Sequence, residues 1–115
     1  MEFNDFREKN RQRCMESFHS LHIWDPWDWT NAMAGECGEA CNLAKKLHRI
    51  EIKDSILGQW NKQNKGELVE KLLCEVADTV VYADLLCSRM GVNLEDYIKK
   101  VFNRKSVKIG SHVSL

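Results

Sequence analysis

Along residues 67–90, apolar side chains recur at intervals of three and four: Leu68, Leu72, Val76, Val80, Ala83, Cys87 and Met90. That spacing lines one face of a helix turning every 3.6 residues and does not suit a strand, whose sides alternate every second residue. Gly91 follows directly, a natural residue for a left-handed helix end. The same recurrence governs the remainder of the chain, which contains one proline, Pro26, and few strand-like runs. The sequence therefore predicts an all-α fold.

A first helix is expected over about residues 3–19, with Phe3, Phe6, Cys14 and Phe18 as a thin apolar stripe. The start of the second is marked more strongly. In WDPWDW, Asp25 can cap, Pro26 suits the first helical position, and Asp28 places an anion at the positive end of the helix dipole. This helix is expected to end near His48, where Lys45, Lys46 and Arg49 complement the dipole. Gly58, Asn61, Asn64 and Gly66 interrupt the periodicity that follows, so residues 50–65 read as a long connection with at most one helical turn. Asn93 caps a fourth helix with Asp96 at its third position, and the residues after Val107 read as an extension. Four helices in 115 residues predict one domain over 1–115, a four-helix bundle. A bundle this small often gains core by self-association.

Seventeen basic residues balance seventeen acidic ones, so there is no basic field to collect nucleic acid. No run approaches the roughly 20 apolar residues of a membrane span, and the N-terminal MEFNDFREKNRQR is too charged for a signal peptide. A cytoplasmic protein without membrane or nucleic-acid partners is expected. The five cysteines are odd in number and lack CxxC spacing, which suggests reduced core thiols.

Two acidic pairs stand out from the solvated charges. Glu36 and Glu39 are the only charged residues between Ala32 and Ala44; Glu75 and Asp78 are the only ones between Leu72 and Ala83. A spacing of three keeps each pair on one helical face. Carboxylates in apolar surroundings are costly unless neutralised, and neither stretch contains Lys or Arg. If the two helices pack antiparallel, four carboxylates converge and must take up protons or hold a cation. An all-oxygen site suits Mg²⁺, with Mn²⁺ as substitute. Gly35 and Gly38, costly inside a helix, suggest a close approach by a second helix or a ligand there.

GECGEACNLAKKLHR, followed by ELVEKLLCEVADTVVYADLL and the tail VFNRKSVKIGS, resembles the MazG-like all-α nucleoside triphosphate pyrophosphatases, which include dimeric dUTPases and dCTP pyrophosphatases. The likeness covers about residues 24–110, and the family signature of ExxE followed by ExxD falls on Glu36–Glu39 and Glu75–Asp78. Gly35 stands where some relatives carry a doubled acid, and the spacer between the two motifs is longer than the common pattern.

The resemblance implies Mg²⁺-dependent cleavage of a (deoxy)nucleoside triphosphate into a monophosphate and pyrophosphate. House-cleaning of the nucleotide pool, with deoxynucleotides such as dCTP as favoured substrates, would be its purpose. It also implies a homodimer or a homotetramer built from dimers. Glu36, Glu39, Glu75 and Asp78 would hold metal, with Glu39 or Glu36 activating water. Lys46 and Lys108 stand in family-like contexts as phosphate contacts, and Asn103 is a polar contact in the same tail. Trp29 is the best placed of four tryptophans to stack on a base, and Trp60 is a further candidate. The alternatives are a phosphoribosyl-ATP pyrophosphohydrolase-like enzyme and, from another class, a non-catalytic helical oligomeric interaction module.

Overall fold

The computed structural model describes the backbone of residues 1–57 and 62–115 and the side chains of 1–52 and 65–115. Among the described residues there are four α-helices and no strand: α1 (Phe3–Ser17), α2 (Pro26–Leu57), α3 (Lys62–Arg89) and α4 (Leu94–Lys108). The all-α expectation holds. Two boundaries differ from it. α2 continues about nine residues beyond His48, and α3 begins about five residues before Glu67. The expected connection over 50–65 is therefore mostly helix, and its remaining residues, 58–61, lie outside the described residues. The segment RIEIKDSIL contains neither Gly nor Pro, so nothing in it stops a helix already propagating. Gly66 is carried inside α3.

The helix ends follow the local chemistry. Asp25 and Asp28 bond reciprocally, each carboxylate accepting the other's backbone N–H at 3.1 Å, which fastens the start of α2. Asn93 Oδ1 accepts the Glu95 N–H at 3.1 Å and starts α4. At the end of α3, Gly91 adopts φ +75°, Val92 N–H reaches Cys87 O at 2.9 Å and Gly91 N–H reaches Ser88 O at 3.1 Å. These are the paired bonds of a Schellman stop. Gly110, at φ +74°, closes α4 in the same way, with Ser111 N–H on Ser106 O at 2.8 Å. Beyond it the tail is tied back, because Asn103 both accepts from Leu115 N–H (2.8 Å) and donates to Leu115 O (3.1 Å).

The chain divides into two compact units, the first formed by Met1–Trp29 with Ala83–Leu115 and the second by Thr30–Tyr82. Among the described residues, the buried side chains lie in the first. Trp29 is fully enclosed, with Cys14, Leu21 and Leu85 as the other buried apolar residues. The Trp29 indole N–H donates to Leu21 O at 3.2 Å, and its ring lies 4.7 Å from Trp24 and 5.4 Å from His19. Arg89 Nε donates to Trp24 O at 2.9 Å and ties the end of α3 to this aromatic group. Asp84, also fully enclosed, accepts from Asn10 Nδ2 at 2.9 Å. Its second oxygen, Oδ1, has no partner, and neither do the enclosed Arg7 Nε and Ser88 Oγ.

The second unit is a pair of helical arms. Contacts run in reverse order along α2 and α3: Glu51 pairs with Lys65 at 3.1 Å, and Glu36 meets Glu75 and Asp78 further along. The arms are therefore antiparallel. None of the described residues in this unit is fully buried. Leu73, Val76 and Val80 form an exposed stripe on α3, each at least 42% accessible. The stretches expected to be buried around the two acidic pairs are thus half-buried or open, because two helices alone cover only one stripe of each other. The cysteines show the same effect. Cys14 is buried and Cys87 half-buried, and burial raises both thiols, but Cys37, Cys41 and Cys74 are exposed. The expectation of core thiols is corrected for those three.

Candidate metal and phosphate site

The second unit brings the two acidic pairs together. Carboxylate oxygens of Glu36 on α2 and of Glu75 and Asp78 on α3 lie within 4.8 Å of one another. The spacing of three places Glu75 and Asp78 on one face, and the antiparallel register brings Glu36 opposite them. Glu39 stands beside this trio rather than in it. It lines a groove of about 280 Å³ with Asn42, Leu43, Lys46, Lys71 and Glu75.

The carboxyls act on one another's protons. Hydrogen bonding with Glu36 is the largest cause raising Glu75 above the usual carboxylate range, followed by desolvation, with the charges of Glu36 and Asp78 adding to it. Glu39 is raised first by hydrogen bonding with Glu75 and then by the Glu75 charge, with desolvation and Asp78 behind. Glu75 Oε2 is enclosed and lacks a hydrogen-bond partner. No Lys or Arg forms an ion pair with any of the four among the described residues. Crowded carboxylates with no Lys or Arg paired to them among the described residues fit a hard divalent cation bound through oxygen.

These shifts set a pH dependence with a definite sign. Glu39, Glu75 and the enclosed Asp84 all hold protons more tightly in the folded chain than in the unfolded one; for Asp84 the main cause is desolvation. Their contribution to stability is full below the unfolded carboxylate values of about 4 and is lost as pH rises through the folded values. In EDTA, the urea midpoint is expected to fall from pH 5 to pH 7.5, and Glu75→Gln and Asp84→Asn should each flatten the fall. Excess divalent cation should flatten it in the wild type by removing the Glu39 and Glu75 part alone. A fall unchanged in both variants would assign the pH dependence to other groups.

The remaining expected site residues are dispersed. Lys46 is exposed on α2 at the groove. Lys108 is exposed at the end of α4, in the first unit. Asn103, also on α4, spends its amide on Leu115. Trp29 is enclosed within the first unit and presents no free ring face, so its expected place as a stacking platform is corrected to a place in the core. Trp60 lies outside the described residues. The glycine expectation also changes, since a Cβ built on Gly35 or Gly38 meets nothing within 4 Å. Among the described residues no helix packs closely on either one, and both glycines are exposed.

Two features were missed in the sequence. Lys71 lines the groove one turn before Glu75, at an i−4 spacing that could have marked it. Asp84 interrupts the apolar run VVYADLLC, the signal of an enclosed charge. Comparisons with family profiles, curated proteins and solved structures return no match for this chain.

Proposed function

We propose that this chain is a Mg²⁺-dependent nucleoside triphosphate pyrophosphohydrolase, releasing a (deoxy)nucleoside monophosphate and pyrophosphate. The observation that carries the reading is the convergence of Glu36, Glu75 and Asp78 oxygens from two helices within 4.8 Å, beside a groove that also holds lysines. The resemblance of both acidic motifs and the tail to MazG-like enzymes supports it.

Glu36, Glu75 and Asp78 would hold the cation. Bound there, Mg²⁺ supplies the positive charge a triphosphate needs to approach the acids and lowers the pKa of water. Glu39 lies beside the trio and is the carboxylate left to accept a proton from the attacking water. Water adds to the α-phosphorus, the bond to the bridging oxygen of the β-phosphate breaks, and pyrophosphate leaves with that electron pair. Lys46, at the groove, offsets the charge developing on it.

The same reading takes the chain as a homodimer or dimer of dimers in which the helices complete a bundle. Two exposed apolar faces favour it: Leu73, Val76 and Val80 on α3, and Tyr97, Ile98, Val101 and Phe102 on α4. Those faces equally suit the second reading, a non-catalytic oligomeric module. Among the described residues no helix is long and apolar enough to cross a membrane.

Pyrophosphate release from a panel of nucleoside triphosphates and phosphoribosyl-ATP, with and without Mg²⁺, decides between the readings. Turnover that depends on Mg²⁺ and is lost in Asp78→Asn is the expected result. Silence across the panel, with no Mg²⁺ binding by calorimetry, would leave the oligomeric module.

A further inference from the structure

Two grooves in the second unit share a pair of lysines. The groove beside the acids ends at Lys46 and Lys71, and a second, of about 420 Å³, begins with the same two residues and continues to Arg49, Ile50, Glu67 and Leu68. Charge therefore changes sign along one track: carboxylates, then two lysines from opposite helices, then Arg49 with Glu67 on the facing helix. Helical rise places Lys71 about 6 Å from Glu75 along α3, and Lys46 about 10 Å from Glu39 along α2, with Arg49 about 4.5 Å beyond. The three cations could have been spent on neighbouring acids, as Lys65 is on Glu51 at 3.1 Å. Among the described residues, Lys46, Arg49 and Lys71 form no ion pair, although Glu39, Glu67 and Glu75 line the same grooves.

We propose that Lys71, together with Lys46 and Arg49, seats the distal phosphates of a linear polyphosphate whose proximal phosphate is held through a cation at Glu36, Glu75 and Asp78. The assignment rests on the reading of the acidic trio as a cation site, and it names what that reading lacked: a partner for Lys46 on the facing helix. It also narrows the ligand class. A single phosphate can engage the acid-bound cation or the lysines, whereas a chain of phosphates engages both. Monophosphates and orthophosphate should be poor ligands, and a product monophosphate should leave readily.

The test is titration calorimetry with inorganic tripolyphosphate in saturating Mg²⁺, beside a separate titration with Mg²⁺ alone. Tripolyphosphate should bind the wild type more tightly than orthophosphate does. Lys71→Gln and Lys46→Gln should each weaken it at least about tenfold, as expected for one charge-assisted bond. Lys71→Arg should retain most of the affinity, and Lys99→Gln, on α4, should leave it unchanged. Mg²⁺ affinity should not fall in any of the four variants. Lys71 is exposed, so helix content by circular dichroism should not change. Normal Mg²⁺ binding with tripolyphosphate affinity unaltered in Lys71→Gln, or lowered equally in Lys99→Gln, overturns the track alone. Absence of Mg²⁺ binding by the wild type overturns the cation site and the track with it.

Discussion

Glu75→Gln is expected to remove divalent-cation binding and to lower nucleotide hydrolysis by about three orders of magnitude, the scale on which several kcal/mol of transition-state charge stabilisation disappear. Glu75 is the residue to change because it joins both sets of contacts: it lies in the trio with Glu36 and Asp78 and interacts with Glu39. Glutamine keeps its size and removes its charge. The variant should also be more stable than the wild type in EDTA at neutral pH, since it relieves repulsion that the wild type tolerates without metal. Added Mg²⁺ should stabilise the wild type and leave the variant unmoved. A gain in stability coupled to a loss of function marks a site held against the preference of the fold. Normal turnover by Glu75→Gln would sink the site assignment. Lower stability in EDTA would show that this carboxylate supports the fold instead.

What the sequence revealed here followed the range of the interaction. The caps at Asp25–Asp28 and Asn93 and the stop at Gly91 depend on residues within four positions of one another, and each forms as its local chemistry dictates. The convergence of Glu36 with Glu75 and Asp78 was legible because the i,i+3 spacing and the lack of internal cations constrain it from both helices. Glu39, equally regular in spacing, stands beside the trio, one turn along α2 from Glu36 and against Glu75. The end of α2 was misread for a different reason. Asn and Gly further along the chain lowered the helical signal, but breakers act where they stand, and RIEIKDSIL contains none.

Burial was the least legible property. Apolar neighbours around the acidic pairs suggested an interior, yet Leu73, Val76 and Val80 face outward, because apolar periodicity reports a face that wants cover and does not say whether the same chain supplies it. The converse error concerned Trp29. Its position just ahead of the ExxE motif suggested a base platform, whereas a bulky ring close to Leu21, Trp24 and His19 satisfies its one N–H inside the chain and fills a core. Asn103 likewise found its partner in Leu115, twelve residues away, a distance at which no local pattern signals a bond.

That placement of Trp29 carries the second large effect. Trp29→Ala is expected to destabilise the chain by about 3–5 kcal/mol, the usual cost of emptying a large aromatic site in a core. The loss is a large fraction of what a domain of this size has to spare. Among the described residues Cys14, Leu21 and Leu85 are the other buried apolar side chains, so little apolar volume is at hand to collapse into the cavity. Trp29→Phe separates packing from hydrogen bonding: it keeps most of the ring and strands the Leu21 carbonyl, at a cost of about 1–3 kcal/mol. Urea denaturation of both variants checks the ordering, Ala well below Phe and Phe below wild type. A base-stacking role predicts something else, a higher KM for nucleotides at unchanged stability. Trp29→Phe distinguishes the two: a lowered midpoint with unaltered KM in the folded fraction places the ring in the core, and an unaltered midpoint with a raised KM would return it to the substrate.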